Sequence, residues 1–492
     1  MTTDPAAPTT ATPARQEHSL RRGTLGTLGV TFFVISAAAP LTAMAGGAPV
    51  AMLLGNGPGV PAAYILTMVT LLVFSVGYTA MSRFHTSTGA FYSYITRGLR
   101  QQCGGAAAYL ALFSYNCMQI GLWGLFGAAT AAFVTDEFGV SIDWWVFALV
   151  GIATVAVLGY RQIDMSVKVL SVLVGLEFLV VLILAVVIAV KGGDFGTTSL
   201  SITPLTPHAL TSGSLPIGLL FCFASFVGFE ATAIYSEEAK DPKRTVARAT
   251  FLSVITIGVV YTVVTFLMVN GAGVGNIPDF IAKLADPTTF LFELSNGYIG
   301  PWYTTIMRIL FITSVFAAVL AFHNAVARYT YALGREGLLP DHAGRTHTVH
   351  QSPHVGSVAQ SVLALVVVAV FAITKQDPVL ALFTWLCNLG TLGVIALMAT
   401  SSFAVVAFFA RHGDLDPNRL RTFVAPLVAG IALIAVLIVG VANFDLLIGT
   451  GGVLVWLLPA LLLVAAVLGV IAAAVLRSRS PERYAEMGRH RE

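Results

Sequence analysis

Runs of twenty or so residues with scarcely a charge make up most of the chain, and the polar positions fall in short segments between them. A helix needs about 20 apolar residues to cross the hydrocarbon core of a bilayer. Twelve runs meet or approach that length: about 25–54, 60–82, 104–134, 144–160, 166–190, 213–237, 249–271, 302–328, 355–374, 379–409, 423–442 and 453–476. Several exceed the minimum and must tilt, bend or break. The pattern predicts an all-α integral membrane protein, with residues 21–476 forming one helical domain. Residues 1–20, rich in Thr, Ala and Pro, read as a disordered tail, and residues 477–492 as a second tail.

Composition narrows the class. Of the 492 residues, 57% are hydrophobic and 10% charged, where a soluble domain carries about 25% charge. That excludes a soluble enzyme, a disordered chain and a nucleic-acid binder. Cys103, Cys117, Cys222 and Cys387 are scattered and form neither a disulfide framework nor a CxxC metal site. No HExxH, GxSxG or Walker pattern occurs, so neither a metal, a cofactor nor catalysis is expected. Gly271, Gly273 and Gly275 imitate a nucleotide loop only superficially, without a βαβ unit around them. The histidines at 342, 347, 350 and 354 are irregularly spaced, as in a solvated loop.

The net charge of +3 matters less than where the charges sit. With the N-terminus inside, 23 of the 27 Lys and Arg residues fall in inner segments and only Lys191, Lys283 and Lys375 in outer loops. By the positive-inside rule this predicts both termini in the cytoplasm and a multi-pass protein of the cytoplasmic membrane. Arg308, at the edge of a span, is expected to snorkel to the outer surface. Arg21 and Arg22 followed by an apolar run resemble an export signal, but eleven further spans make them topology determinants instead.

Two spans are interrupted near their middles. In the first, Ser36, Ala37, Ala38 and Ala39 precede Pro40. Proline lacks an N–H and clashes with the preceding turn, yet suits the start of a new helix. In the sixth, Ser225, Phe226, Val227 and Gly228 run into the ionisable Glu230. Non-helical backbone is tolerated in a bilayer only against buried protein or a cavity. Residues 36–39 and 225–228 are therefore expected to unwind and to face one another across a central cavity as substrate contacts. Paired breaks of this kind mark the binding site in secondary transporters.

The inner end of span 6 carries Gly228, Phe229 and Glu230, then Ser236, Glu237, Glu238, Ala239, Lys240, Asp241, Pro242, Lys243, Arg244 and Thr245. This resembles the signature of the amino acid–polyamine–organocation permeases. Thr88 to Tyr94 (TGAFYSY) and Tyr331 to Pro340 (YALGREGLLP) match in order along the chain. The resemblance implies the leucine-transporter fold: two inverted five-helix repeats, here about 25–190 and 213–409, plus two helices over 423–476. It implies transport of amino acids or amines. Members often carry glycines in the first break, where this chain has alanines; the added methyl groups narrow the approach of a substrate carboxylate.

Glu177, midway along span 5, is costly at that depth and a candidate for the coupling proton. It falls near a span 5 lysine that replaces a sodium ion in some relatives. Glu230 is a second coupling candidate, with a capping role open beside it. Tyr115 and Gln119 on span 3 and Asn388 on span 10 are candidate substrate contacts, Asn388 sharing one helical face with Thr384 and Thr391. Thr313 and Ser314 lie where sodium-coupled relatives hold their ion. The expectation is a secondary importer of amino acids, proton-coupled rather than sodium-coupled, working by alternating access. An amine or polyamine permease or exchanger is the alternative, and a transporter-like receptor a more distant one.

Overall fold

The computed structural model describes residues 26–84, 90–161, 167–232, 240–347, 352–449 and 452–488. The expected tail at 1–20, Arg21, Arg22, Thr88, Gly89, residues 236–239 and His350 lie outside them. The first half contains α1 (Thr27–Ala38), α2 (Ala48–Leu54), α3 (Val60–Ser82), α4 (Ala90–Gly98), α5 (Gln101–Phe138), α6 (Trp144–Tyr160) and α7 (Val167–Lys191). Next come α8 (Pro207–Leu210), α9 (Leu215–Ala224), α10 (Pro242–Ala272), α11 (Ile277–Ala282), α12 (Phe290–Tyr298) and α13 (Pro301–Glu336). The chain continues through α14 (His354–Ile373), α15 (Thr384–Arg411), α16 (Ala425–Ala442), α17 (Asp445–Ile448), α18 (Val453–Arg479) and α19 (Pro481–Glu486). Among the described residues the only extended pairing is an isolated bridge between Gly193 and Thr198.

Among the described residues ten helical segments are long and apolar enough to cross a bilayer, where the sequence suggests twelve. The two that fall short are the first and fourth spans. The first is split into Thr27–Ser36 and Thr42–Leu54, and the fourth is the 17-residue Trp144–Tyr160.

Many large apolar side chains lie open to the surroundings, Val190, Ile373 and Val453 by about four-fifths. That inverts the surface of a water-soluble protein and suits hydrocarbon as the solvent. Enclosure varies across the bundle: 78% of the hydrophobic window of Leu215–Thr232 is buried, against 22% for α18. The interrupted helix thus lies inside, where its free backbone groups meet protein rather than lipid. α5 packs along α13, α15 and α18 and forms the spine of the bundle. Small residues allow the closest approach: a Cβ added to Gly469 of α18 would fall 2.1 Å from the Gly105 carbonyl oxygen of α5.

The first break is shorter than expected. Residues 36–38 stay in α1, and Ala39 alone leaves the helical region, with φ +44° and ψ +78°. Pro40 cannot donate to the Ser36 carbonyl. The Ala39 N–H reaches that oxygen at 3.2 Å, as well as Ile35 O at 3.1 Å. One left-handed residue thus repairs the hydrogen bonding that proline breaks, and no longer unwinding is needed. Beyond it the chain winds into a π-helical stretch, Thr42–Gly47, before α2. In the sixth span α9 ends at Ala224, residues 225–228 form turns, Gly228 takes φ +113°, and one 3₁₀ turn follows.

Candidate functional site at the two helix breaks

The two interrupted spans meet, and their breaks line one cavity. A Cβ built on Gly47, in the π-helical stretch, would stand 3.8 Å from Ser225 Oγ. Ser225 is fixed from the other side by the Tyr64 hydroxyl at 2.9 Å. Between the breaks is a cavity of about 50 Å³. Since a single water needs about 10–15 Å³ by this measure, it has room for a few waters or a small solute. Ala38, Ala39, Thr42 and Ala43 line it from the first break, and Ala224, Ser225 and Val227 from the second. Met118 and Leu122 of α5, Ala318 and Phe322 of α13, and Phe383 and Cys387 complete the wall. The lining contains no charged side chain.

Both expected glutamates stand just behind that wall, each on a helix break. Glu177 of α7 is 3% exposed. Its Oε2 accepts the Leu41 N–H at 3.2 Å and the Ser314 hydroxyl at 2.7 Å. Ser314 Oγ lies 3.0 Å from Thr42 Oγ1. A serine hydroxyl has one proton, so Ser314 donating to Glu177 leaves Thr42 to donate to Ser314. A hydrogen-bonded chain thus runs from the carboxylate to the cavity wall. Leu41 opens the half-helix after Pro40, where free N–H groups and the helix dipole favour negative charge. Glu177 occupies that place. The Tyr261 hydroxyl reaches the Ala38 carbonyl, on the other flank of the break, at 3.4 Å.

Glu230, 1% exposed, serves the second break from within its own span. Its Oε2 accepts the Gly228 N–H at 2.9 Å, and its Oε1 accepts the Tyr115 hydroxyl at 2.7 Å. The Tyr78 hydroxyl donates to the Glu230 backbone carbonyl at 2.9 Å. Tyr115 therefore positions the glutamate instead of facing the cavity alone.

The other sequence candidates are placed as follows. Ala38, Ala39, Ser225 and Val227 line the cavity. Ser36 turns its hydroxyl back to Phe32 O, and Ala37 lies in α1 with them. Phe226 packs among Tyr64 and Tyr261, and Gly228 gives its N–H to Glu230. Gln119 and Asn388 are buried one position beyond the wall residues Met118 and Cys387. The described residues offer no partner to Gln119 Oε1 or Asn388 Oδ1. Thr384 and Thr391 bond to carbonyls of their own segment, as does Thr313. The lining residues not foreseen, such as Thr42, Phe322 and Phe383, carry no signal beyond lying on the same helices.

Away from the breaks, Arg308 does not simply snorkel: its Nη1 donates to Asp136 Oδ2 at 2.6 Å, and its guanidinium lies over the Phe292 ring. His347 and His354 pack edge-on at 5.5 Å and both lie against Tyr160, while His342 is exposed. No group of metal-ligating side chains occurs among the described residues. His323, not singled out from sequence, is fully buried in α13 with Nε2 2.8 Å from Ser357 Oγ.

The chain is similar to known permeases. The family model described as "Amino acid permease" matches residues 25–472. The low-affinity putrescine importer PlaP of Escherichia coli (strain K12) is 24% identical over 313 residues, 63% of this chain and 67% of its own. The branched-chain amino acid permease BcaP of Lactococcus lactis is 23% identical over 406 residues, 78% of this chain and 82% of its own. A methylthioribose transporter of Bacillus subtilis is 24% identical over 214 residues, 43% of this chain and 42% of its own.

Proposed function

The chain belongs to the amino acid permease family, among the amino acid–polyamine–organocation permeases, and on that premise we propose that it imports an amino acid together with a proton. It is a multi-pass membrane transporter and not an enzyme. In the proposal the split first span and the short fourth cross the bilayer with the ten longer segments. That gives twelve crossings, two inverted repeats and both termini in the cytoplasm, with the solute bound between the breaks and exposed to each side in turn.

The observation that carries the coupling is Glu177 seated on the Leu41 N–H. A substrate carboxylate entering the cavity seeks the same positive helix end. Two carboxylates about 4 Å apart repel by roughly 4 kcal/mol at an effective dielectric of 20. Substrate and an ionised Glu177 are therefore near-exclusive. Protonating Glu177 removes the repulsion and frees the Leu41 N–H, so proton and substrate load together. The Thr42–Ser314 hydroxyls connect the carboxyl to the cavity and give the proton its route. In the proposal Ser314 serves the proton route by holding the Glu177 carboxyl, and Thr313 bonds to its own helix.

A second reading, an amine permease, is favoured by one feature. Two buried carboxylates stand behind a lining without a cation, and the similar PlaP is named for putrescine. Uptake into reconstituted vesicles separates the two. Labelled amino acids and diamines are offered under an imposed proton or sodium gradient. Accumulation of an amino acid with the proton gradient alone is expected; accumulation of diamines only, or with sodium only, would overturn the proposal.

A further inference from the structure

The chain folds back under the bundle where α18 ends. Along α19 every residue except Tyr484 is exposed, yet the next two, Met487 and Gly488, are buried. Gly488 takes φ +66°, and a Cβ on it would fall 3.1 Å from Thr96 Cβ of α4. Glycine suits both the conformation and the close approach. Its N–H donates to Glu336 Oε2 at 3.3 Å, and its carbonyl accepts Arg97 Nε at 3.3 Å. The Tyr92 hydroxyl, also on α4, donates to the same Glu336 oxygen. One glycine thus ties α4 to the last residue of α13. Arg483 adds an ion pair with Asp341 at 3.1 Å, exposed and so weak.

The opposite side of α4 reaches toward the central cavity. Phe91 packs on Phe74 and Tyr78 of α3 at 6.3 and 5.8 Å. Phe74 lies edge-on to Phe229 at 6.0 Å, and the Tyr78 hydroxyl donates to the Glu230 carbonyl. Phe229 and Glu230 follow directly on the second break. α4 therefore bridges two walls of the cavity: the second break through α3, and α13, which contributes Ala318 and Phe322, through Glu336. The two attachments differ in kind. On the α3 side the rings are at most 2% exposed. On the α13 side the attachment is polar, and Glu336 is partly open to water. Water can replace hydrogen bonds but not apolar burial, so separating the walls on this side breaks the polar attachment first.

We propose that residues 480–488 are a strap that holds the cavity closed on this side. With Gly488 seated, α4 stays on α13; with Gly488 released, α4 moves with α3 and the second break, and the cavity opens. On the orientation proposed above this is the cytoplasmic side, so the strap restrains release of the solute into the cell and not its capture from outside. The inference rests on the alternating-access reading and adds a restraining segment to it.

Cys387, in the cavity wall, reports the opening. Cys103, Cys117 and Cys222 are replaced by alanine, and a membrane-impermeant maleimide is applied to inside-out and to right-side-out vesicles. The strap is removed by deleting residues 480–492 and, separately, unseated by Gly488→Val, which leaves every membrane helix untouched. Loss of two hydrogen bonds of ordinary net worth should raise labelling of Cys387 from the inner face about tenfold. Labelling from the outer face should not rise. Where the deletion fails to fold, Gly488→Val decides. Unchanged labelling from the inner face, or an equal rise from both faces, would overturn the strap alone. A rise from the outer face only would overturn the proposed orientation and the strap's inner role with it. Labelling needs no solute, so neither result depends on which substrate is carried.

Discussion

Replacing Glu177 by glutamine removes one negative charge from the start of the half-helix at Pro40 and keeps a side chain of the same shape. The Leu41 and Ser314 bonds, 3.2 and 2.7 Å long, fix where that charge stands. A substrate carboxylate sharing the helix end would lie about 4–5 Å away, and the repulsion relieved is roughly 3–4 kcal/mol at an effective dielectric of 20. At about 1.4 kcal/mol per decade this is two to three orders of magnitude in affinity. Wild-type affinity should fall as pH rises and Glu177 ionises. The Glu177→Gln variant should bind as wild type does in acid and keep that affinity in mild alkali. Calorimetric titration of detergent-solubilised protein across that range measures both curves. Paired flux assays complete the test: the variant should exchange substrate yet lose accumulation driven by a proton gradient. If its affinity declines with pH as in wild type, or it still concentrates substrate with only a proton gradient imposed, the coupling role of Glu177 is refuted.

Ala38→Leu should abolish ligand binding while the protein still inserts and folds, because the isobutyl group enters a cavity of about 50 Å³; calorimetry beside size-exclusion profiles checks both halves. Tyr115→Phe leaves Glu230 Oε1 without its donor, which costs about 1–3 kcal/mol for a buried group and should lower the unfolding temperature by about 1–3 °C in a chain of this size. Gly469→Ala forces a methyl onto the Gly105 carbonyl at 2.1 Å; overpacking of this kind costs about 1–3 kcal/mol, read as reduced thermal stability with substrate specificity unchanged.

How much the sequence reveals depends on whether the deciding contact is local. Pro40 and Gly228 announce the breaks because backbone geometry is set by neighbours in sequence. The length of the first break is the exception: it turns on a contact only three residues apart, the Ala39 N–H on Ser36 O, which residue type does not announce. Glu177 stands out as an ionisable residue in an apolar run, but its partner lies 136 residues away at Leu41. The same holds for Tyr115 with Glu230 and Arg308 with Asp136. Polarity alone draws attention to Gln119 and Asn388, whereas their apolar neighbours Met118 and Cys387 form the wall. One residue is a 100° turn of a helix, and in spans of nearly uniform hydropathy no periodic signal says which side faces inward. A criterion of helix length returns ten segments among the described residues instead of twelve, because it passes over the split first span and the 17-residue fourth.

The central claim is that substrate and proton load together because Glu177 and the substrate compete for one helix end. Proton uptake on binding tests it most directly. Purified protein is held in weak buffer with a pH indicator, in the range where affinity declines with rising pH, and saturated with an amino acid that it transports. The account predicts uptake approaching one proton per substrate bound in wild type and none in Glu177→Gln. Binding without proton uptake in wild type, or equal uptake in the variant, would contradict it.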